Sequence, residues 1–278
     1  MNTSFNMLAI SAKTGNKDAL EALVRAIQLP VYNIARRMLQ NPTDAEDATQ
    51  EILIKIVTHL GQFRGESLFS TWMYRVATNH LLNQSRRNQD KQQLSFEALS
   101  QHIRHGVALA SEGPEELYVQ DELIEETRRS CTMGMLQCLN PHERMAIILG
   151  ELLEVNSDEA AAILEISSAA YRKRLSRARQ QLVSFVSGNC GIVNPANPCR
   201  CHRLAEVKRQ VGLLDANALQ YEQAHDASSS QALLQAHNPD LDMDCRSIEL
   251  LRTHPSYTTQ SDLAKLIDRI VSAQQQSA

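Results

Sequence analysis

Phe63, Phe69, Trp72 and Tyr74 fall within twelve consecutive positions of a chain whose aromatic content is only 4%. Arg64, Glu66, Arg75, Asn79, His80 and Asn83 surround them. Large aromatics usually fill a core, and Trp72 with at least one Phe is expected there. A fully buried quartet fits poorly beside so many polar neighbours. Rings flanked by amides and cations also make a shelf on which unpaired bases stack, each stack worth ~1–3 kcal/mol.

A second set of residues suits duplex DNA. Arg172, Lys173, Arg174, Arg177 and Arg179 lie in a stretch with no acid between Ile166 and Leu182. Exposed helices ordinarily interleave signs so that neighbours one turn apart pair; this one does not. A salt-bridged bundle helix is the plain alternative, but a cationic helix behind a tight turn is built to hold phosphates and offer its first turns to base edges. Asp44, Asp47 and Glu51 form an acidic stripe. The helix macrodipole accounts for the first two at ~0.3–1 kcal/mol each, whereas Glu51, two turns in, gains little and leaves docking to a partner open.

Cys190, Cys199, Cys201 and His202 spell C-x8-C-x-C-H, four soft ligands within thirteen residues. Three readings stand: a zinc site, a thiol redox switch, or a structural loop with free cysteines. Cys131, Cys138 and Cys245 are read as packing residues.

The elements that must carry these groups are helical. With 278 residues, 43% apolar and 22% charged, the chain has room for two small domains and a tail. Leu20, Leu23, Val24 and Ile27 recur at helical spacing, and Pro30 is expected to open a second helix bearing Val31, Ile34, Ala35 and Met38. Thr43 as N-cap with Glu46 three residues on predicts a third helix, Ala45 to Leu60 inward. A fourth runs from about Leu68 to Arg87. Residues 91–140 carry four basic and eight acidic side chains, and 91–117 read as an acidic linker that orders only against a partner. A second helical block starts near Tyr118. Asn140 and Pro141 open one of its helices; Asp158 to about Glu165, a turn at Ile166–Ser167 and a helix from Ser168 make a helix-turn-helix. Beyond Ser187 a Gly, Asn, Pro and Cys-rich loop leads into further helical segments. The net charge of −4 argues against indiscriminate nucleic-acid binding. No apolar run approaches the ~20 residues of a membrane span, so a cytoplasmic protein without membrane contact is expected, and no paired carboxylates, phosphate loop or nucleophile arrangement points to an enzyme.

In order and spacing, "DAEDATQEILIKI", "FRGESLFSTWMYRVATNHLLNQSRR", a gap, "LNPHERMAIIL" and "SDEAAAILEISSAAYRKRLSRARQQL" resemble the extracytoplasmic-function sigma factors of bacterial RNA polymerase over about residues 5–186. The resemblance implies an all-α chain: a promoter-melting domain at 1–90, the linker 91–117, a helix-turn-helix domain at 118–187 and a helical extension at 188–278. It implies that Asp44, Asp47, Gln50 and Glu51 dock on core polymerase. Phe63, Arg64, Phe69 and Trp72 would line the surface that melts the minus-ten element, with Arg75, Asn79, His80 and Asn83 reading it. Ser168, Arg172, Lys173, Arg174, Arg177 and Arg179 would bind the minus-thirty-five element. No cofactor is required by the family; zinc at the extension's cysteines is this chain's own question. Glu165 stands where the family often has Gly, and Ala170–Tyr171 where it usually has a small Thr-Val pair, which puts the promoter sequence in doubt. The extension is expected to regulate access to polymerase or DNA, as a built-in substitute for a separate anti-sigma protein. The competing functions are a helix-turn-helix regulator that never recruits polymerase, which would need neither the acidic helix nor the aromatic stretch, and a metal- or redox-responsive interaction protein.

Overall fold

The computed structural model describes residues 2–87, 94–111, 119–216, 218, 219, 221 and 227–258. Among these residues the chain is helical with no strand, only an isolated bridge between Cys190 and Cys199. Twelve α-helices are numbered in chain order: α1 Asn2–Lys13, α2 Lys17–Leu39, α3 Pro42–Thr58, α4 Phe69–Arg87, α5 Phe96–Ser111, α6 Asp121–Cys138, α7 Pro141–Ile147, α8 Ser157–Ile163, α9 Ser168–Asn189, α10 Cys201–Gln210, α11 Ala227–His237 and α12 Met243–Arg252. Helix α7 runs on into a π-helical turn, Ile148–Leu152. No helix among the described residues is long and apolar enough to cross a membrane.

Two compact units result, and they do not follow chain order. One takes the described residues of 1–90, 155–171 and Tyr257 onward; the other takes those of 91–154 and 172–256.

In the first unit α1, α2, α3 and α4 pack together, with α8 on α4. Leu23, Val24, Ile27, Val31, Ile34 and Met38 are buried along α2, and Ile52, Leu53, Ile56 and Val57 along α3, the stripe that the 3.6-residue period requires. Pro30 does not begin a new helix: α2 passes through it, because apolar residues on both sides bury the same face. The missing N–H costs one backbone bond, which the packing outweighs. Helix α3 starts one step before the expected cap. Asn41 Oδ1 accepts from the N–H groups of Thr43 and Asp44 with Pro42 in the first turn, so the Asn-Pro pair sets the start and Thr43 is already inside.

The second unit holds the largest departure from the expected organisation. Residues 96–111, within the supposed linker, form α5. Its partner lies within the same chain: α5 packs on α10 and α6, and Phe96 meets the Phe185 ring at 5.2 Å. A Cβ on Gly106 would stand 2.8 Å from a terminal methyl of Leu204, so α5 and α10 cross closely here and a larger residue would make that side chain shift. The acids at 112, 115 and 116, the Tyr118 start and the segment 260–274 lie outside the described residues. Asn140, by contrast, caps α7 as its sequence suggests, accepting from Glu143 N at 3.0 Å.

Candidate nucleic-acid interface

The aromatic stretch resolves into core and edge. Phe63 and Phe69 are buried, 4% and 0% exposed, and meet edge to face at 5.3 Å; Trp72, half-buried, lies 5.8 and 5.6 Å from them. The two Phe residues were expected on the melting surface. In this structure they offer no face to a base, because both rings are buried and pack against each other and Trp72. Two side chains of α1 hold the turn that leads into α4. Lys13 Nζ donates to Phe63 O at 2.8 Å, and Asn6 Oδ1 accepts from Phe69 N at 2.6 Å, satisfying an orphan donor at the start of α4. Trp72 alone of the three keeps an open edge. Arg64 is exposed, 3.9 Å from Glu66.

Along α4 the polar residues have protein partners. Thr71 donates to Glu159 at 2.9 Å, Asn79 Nδ2 to Glu165 Oε2 at 3.4 Å, and Arg75 stands 4.0 Å from Glu165. His80 takes a hydrogen bond from Lys55 Nζ on Nδ1 at 2.6 Å and faces Glu51 through Nε2 at 3.8 Å. Lys55 as donor makes Nδ1 the acceptor and leaves the proton on Nε2, toward the carboxylate. Asn83 is exposed. Glu159 and Glu165 belong to the helix-turn-helix. Glu165 adopts φ 55, the left-handed region that glycine occupies freely, so its side chain is kept at a backbone cost of ~1 kcal/mol.

The acidic stripe of α3 lies open: Asp47 and Glu51 are exposed, Asp44 and Gln50 half-buried. On the neighbouring α2, Asn33, Arg36 and Arg37 are buried, and sequence reasoning missed them. Asn33 Nδ2 donates to Tyr257 O at 2.9 Å and its Oδ1 accepts from Tyr257 N at 2.8 Å. The Tyr257 ring lies 5.2 Å from the Arg36 guanidinium and 5.7 Å from that of Arg37. Burial lowers the Arg37 pKa, and the neighbouring Tyr257 and Tyr74 oppose that shift.

Helix α9 differs. Arg172, Lys173 and Arg177 are exposed and Arg174 half-buried, and none of the four has an ion pair among the described residues. Ser168 donates to Asp158 at 2.6 Å, closing the turn. Arg179 stands apart: it is bonded to Glu151, which is 2% exposed. Arg252, on α12 of the extension, donates to the same residue, Nε to Glu151 O at 3.2 Å and Nη2 to Oε2 at 3.4 Å.

The extension's sulfurs gather, though not as the spacing suggested. Cys190 and Cys199 pair across the isolated bridge and Cys201 opens α10. His202 is exposed and is not among the groups whose charge reaches these thiols. Cys131 of α6, expected only to pack, takes its place beside them. Burial, then the neighbouring thiols, push Cys199 up to about 11 and Cys201 up to about 12. Among the described residues no three His, Cys, Asp or Glu side chains already stand ready to hold a metal ion.

Comparison with known proteins gives the frame for these surfaces. Residues 23–91 match the family model for Sigma-70 region 2, and residues 129–182 that for Sigma-70, region 4. The RNA polymerase sigma-H factor of Pseudomonas aeruginosa is 29% identical over 172 residues, 60% of this chain and 86% of that protein. The ECF RNA polymerase sigma-E factor of Escherichia coli K12 is 32% identical over 181 residues, 63% of this chain and 91% of that protein. A solved structure of CnrH in complex with the cytosolic domain of CnrY aligns with a TM-score of 0.48 at 21% identity, covering 66% of this chain and 98% of CnrH. Both regions occur in order, and nearly the whole length of the Escherichia coli factor is covered: the chain belongs to the extracytoplasmic-function sigma factors of bacterial RNA polymerase, the non-enzymatic factors that bind polymerase and initiate transcription at promoters.

Proposed function

We propose that this sigma factor rests in a closed state in which its own helix-turn-helix covers the minus-ten reading face, and that docking on core polymerase opens it. In that reading Asp44, Asp47, Gln50 and Glu51 supply the docking stripe. Arg64, Trp72, Arg75, Asn79, His80 and Asn83 take the opened minus-ten strand. Ser168, Arg172, Lys173, Arg174, Arg177 and Arg179 take the minus-thirty-five duplex. Phe63 and Phe69 act from below, fixing the height and tilt of Trp72. The extension is the regulator. Tyr257, beyond α12, ties the extension to α2, and Arg252 ties α12 to the carboxylate that also holds Arg179.

The observation that carries the reading is Glu165. A glutamate kept in a left-handed conformation, where glycine would sit without strain, faces two of the residues expected to read the promoter. The closure is weak by design of its parts. The partly exposed Arg75–Glu165 pair contributes ~0.2–1 kcal/mol, and the Thr71–Glu159 hydrogen bond ~1 kcal/mol. A differential affinity of a few kcal/mol, well within reach of a docking interface, is enough to displace it.

Reconstituted transcription with core polymerase on a promoter library tests this directly. Glu165→Gly removes both contacts and the backbone strain, so the variant keeps its fold and speeds formation of a permanganate-reactive bubble about two- to fivefold. Asp47→Lys with Glu51→Lys abolishes transcription by preventing association. An unchanged opening rate in Glu165→Gly, alongside normal polymerase binding, rules out the closed state while leaving the family assignment intact.

A further inference from the structure

We propose that Cys131, Cys190, Cys199 and Cys201 form a four-thiolate site for a thiophilic divalent ion of the zinc type, stapling α6 of the helix-turn-helix unit to the C-terminal extension. The inference goes beyond the closed state argued above and does not depend on it.

The loop between the ligands is built around sulfur. The N–H groups of Ile192 and Val193 donate to the Cys190 sulfur, and that of Gly191 to the Cys199 sulfur. Such N–H to sulfur bonds stabilise thiolate over thiol and orient the ligand. Side chains lock the same loop. Asn194 and Asn197 donate to Ser187 O at 3.0 and 2.9 Å, and Arg200 donates to Cys199 O at 2.9 Å and Pro195 O at 3.0 Å. Position 191 admits only glycine, since a Cβ there would lie 2.2 Å from Cys199 O. Across the site, Lys208 Nζ donates to Ser130 Oγ at 3.0 Å, fixing α10 against α6 beside Cys131.

Charge is the second, independent argument. A divalent ion on four thiolates leaves two net negative charges in a buried place, which cations must balance. Arg128, Lys208 and Arg200 are the cations whose fields reach the sulfurs. Arg128 is 5% exposed; one of its nitrogens bonds Glu125, and its Nε and Nη1 have no hydrogen-bond partner among the described residues. A buried guanidinium with two unsatisfied donors calls for nearby negative charge, and the thiolate cluster supplies it. Since no three ligands stand ready, ion uptake has to rotate the sulfurs onto a common point.

The full-length chain, reduced and stripped of metal, is titrated with Co2+ and then with Zn2+. The expected result is one Co2+ per chain with the near-ultraviolet charge-transfer and visible d–d bands of tetrahedral thiolate ligation, displaced by Zn2+. Replacing any one of the four cysteines by Ser weakens Zn2+ binding by more than about 100-fold, while Arg128→Met, acting from outside the ligand set, weakens it about tenfold. His202→Ala leaves stoichiometry and band intensity unchanged. The site is overturned if wild type gives no such bands, a measurement that needs no variant to fold. It is equally overturned if Cys131→Ser retains them, if His202→Ala loses a ligand, or if the metal-free chain is found lighter by two hydrogens in a Cys190–Cys199 disulfide and takes up no ion.

Discussion

Helices α4 and α9 bear the two faces proposed above to meet DNA, and the rest of the chain treats them in opposite ways. On α4, Thr71, Arg75 and Asn79 are engaged by two glutamates of the helix-turn-helix, and His80 by Lys55 and Glu51. On α9, Arg172, Lys173, Arg174 and Arg177 have no ion pair among the described residues. The face proposed for separated strands is engaged at Thr71, Arg75, Asn79 and His80; the face proposed for intact duplex is left open, apart from Arg179. The contrast follows the energetics of the two substrates. Duplex is always available and is held through phosphates at any sequence, so an exposed cationic helix needs nothing further. Separated strands must first be paid for in unstacking, and a shelf left open to solvent would only collect stray single strands.

The largest effect that can break this comparison is on duplex binding. Replacing Arg172, Lys173 and Arg177 together by Ala removes three exposed cations, so the slope of log affinity against log salt should fall by about 2.7, a loss of about 40-fold between 50 and 200 mM salt for that component. Fluorescence anisotropy on a short duplex measures it. An unchanged slope means that α9 is not the open face. Next in size is Asn33→Ala. Two of its side-chain hydrogen bonds go to the Tyr257 backbone, and losing both costs ~1–3 kcal/mol. The Tyr257 segment of the extension should then leave α2, seen as early proteolytic cleavage near Tyr257, and promoter opening should rise about tenfold. Cleavage without faster opening would show that the Tyr257 anchor is structural and does not restrain the α4 face.

What the sequence made legible was whatever repeats along one element. The buried stripe of α3, the acid-free run of α9, the Asn-Pro start of α7 and the helix-turn-helix corner are all local patterns, and each element formed where its period required. What it hid was convergence. Cys131 lies 59 positions before Cys190, so no spacing rule connects them; only the packing of α6 on α10 does. Tyr257 reaches Asn33 across 224 positions. Glu165 was visible as an oddity, a glutamate at a glycine position, but its meaning depends on α4 lying beneath it. Helix α5 shows the same limit from the other side: its packing partner α10 lies about one hundred residues away in the chain, where no local pattern could point to it.

The smallest effect separates the two units by titration. Every cysteine of the chain lies in the second unit, and burial raises the thiols of Cys138 and Cys199 from 9.0 to about 11 and that of Cys201 to about 12. A thiol whose folded pKa exceeds its unfolded value binds more protons folded than unfolded between those two values. Stability is therefore full below about pH 9 and is lost as pH rises toward 11. Over the single unit from pH 9 to 10 the loss is on the order of 1 kcal/mol per thiol. In the first unit the raised groups are Tyr32 and Tyr74, which start from 10.0, so that unit should hold steady over the same interval. Trp72 is the one tryptophan of the chain and reports the first unit alone. In metal-free, reduced protein the fluorescence-detected melting temperature should stay constant from pH 9 to 10, while the helical signal acquires an earlier transition. Coincident shifts in both probes would mean that the units unfold as one, and that closing α4 and stapling the extension are a single event.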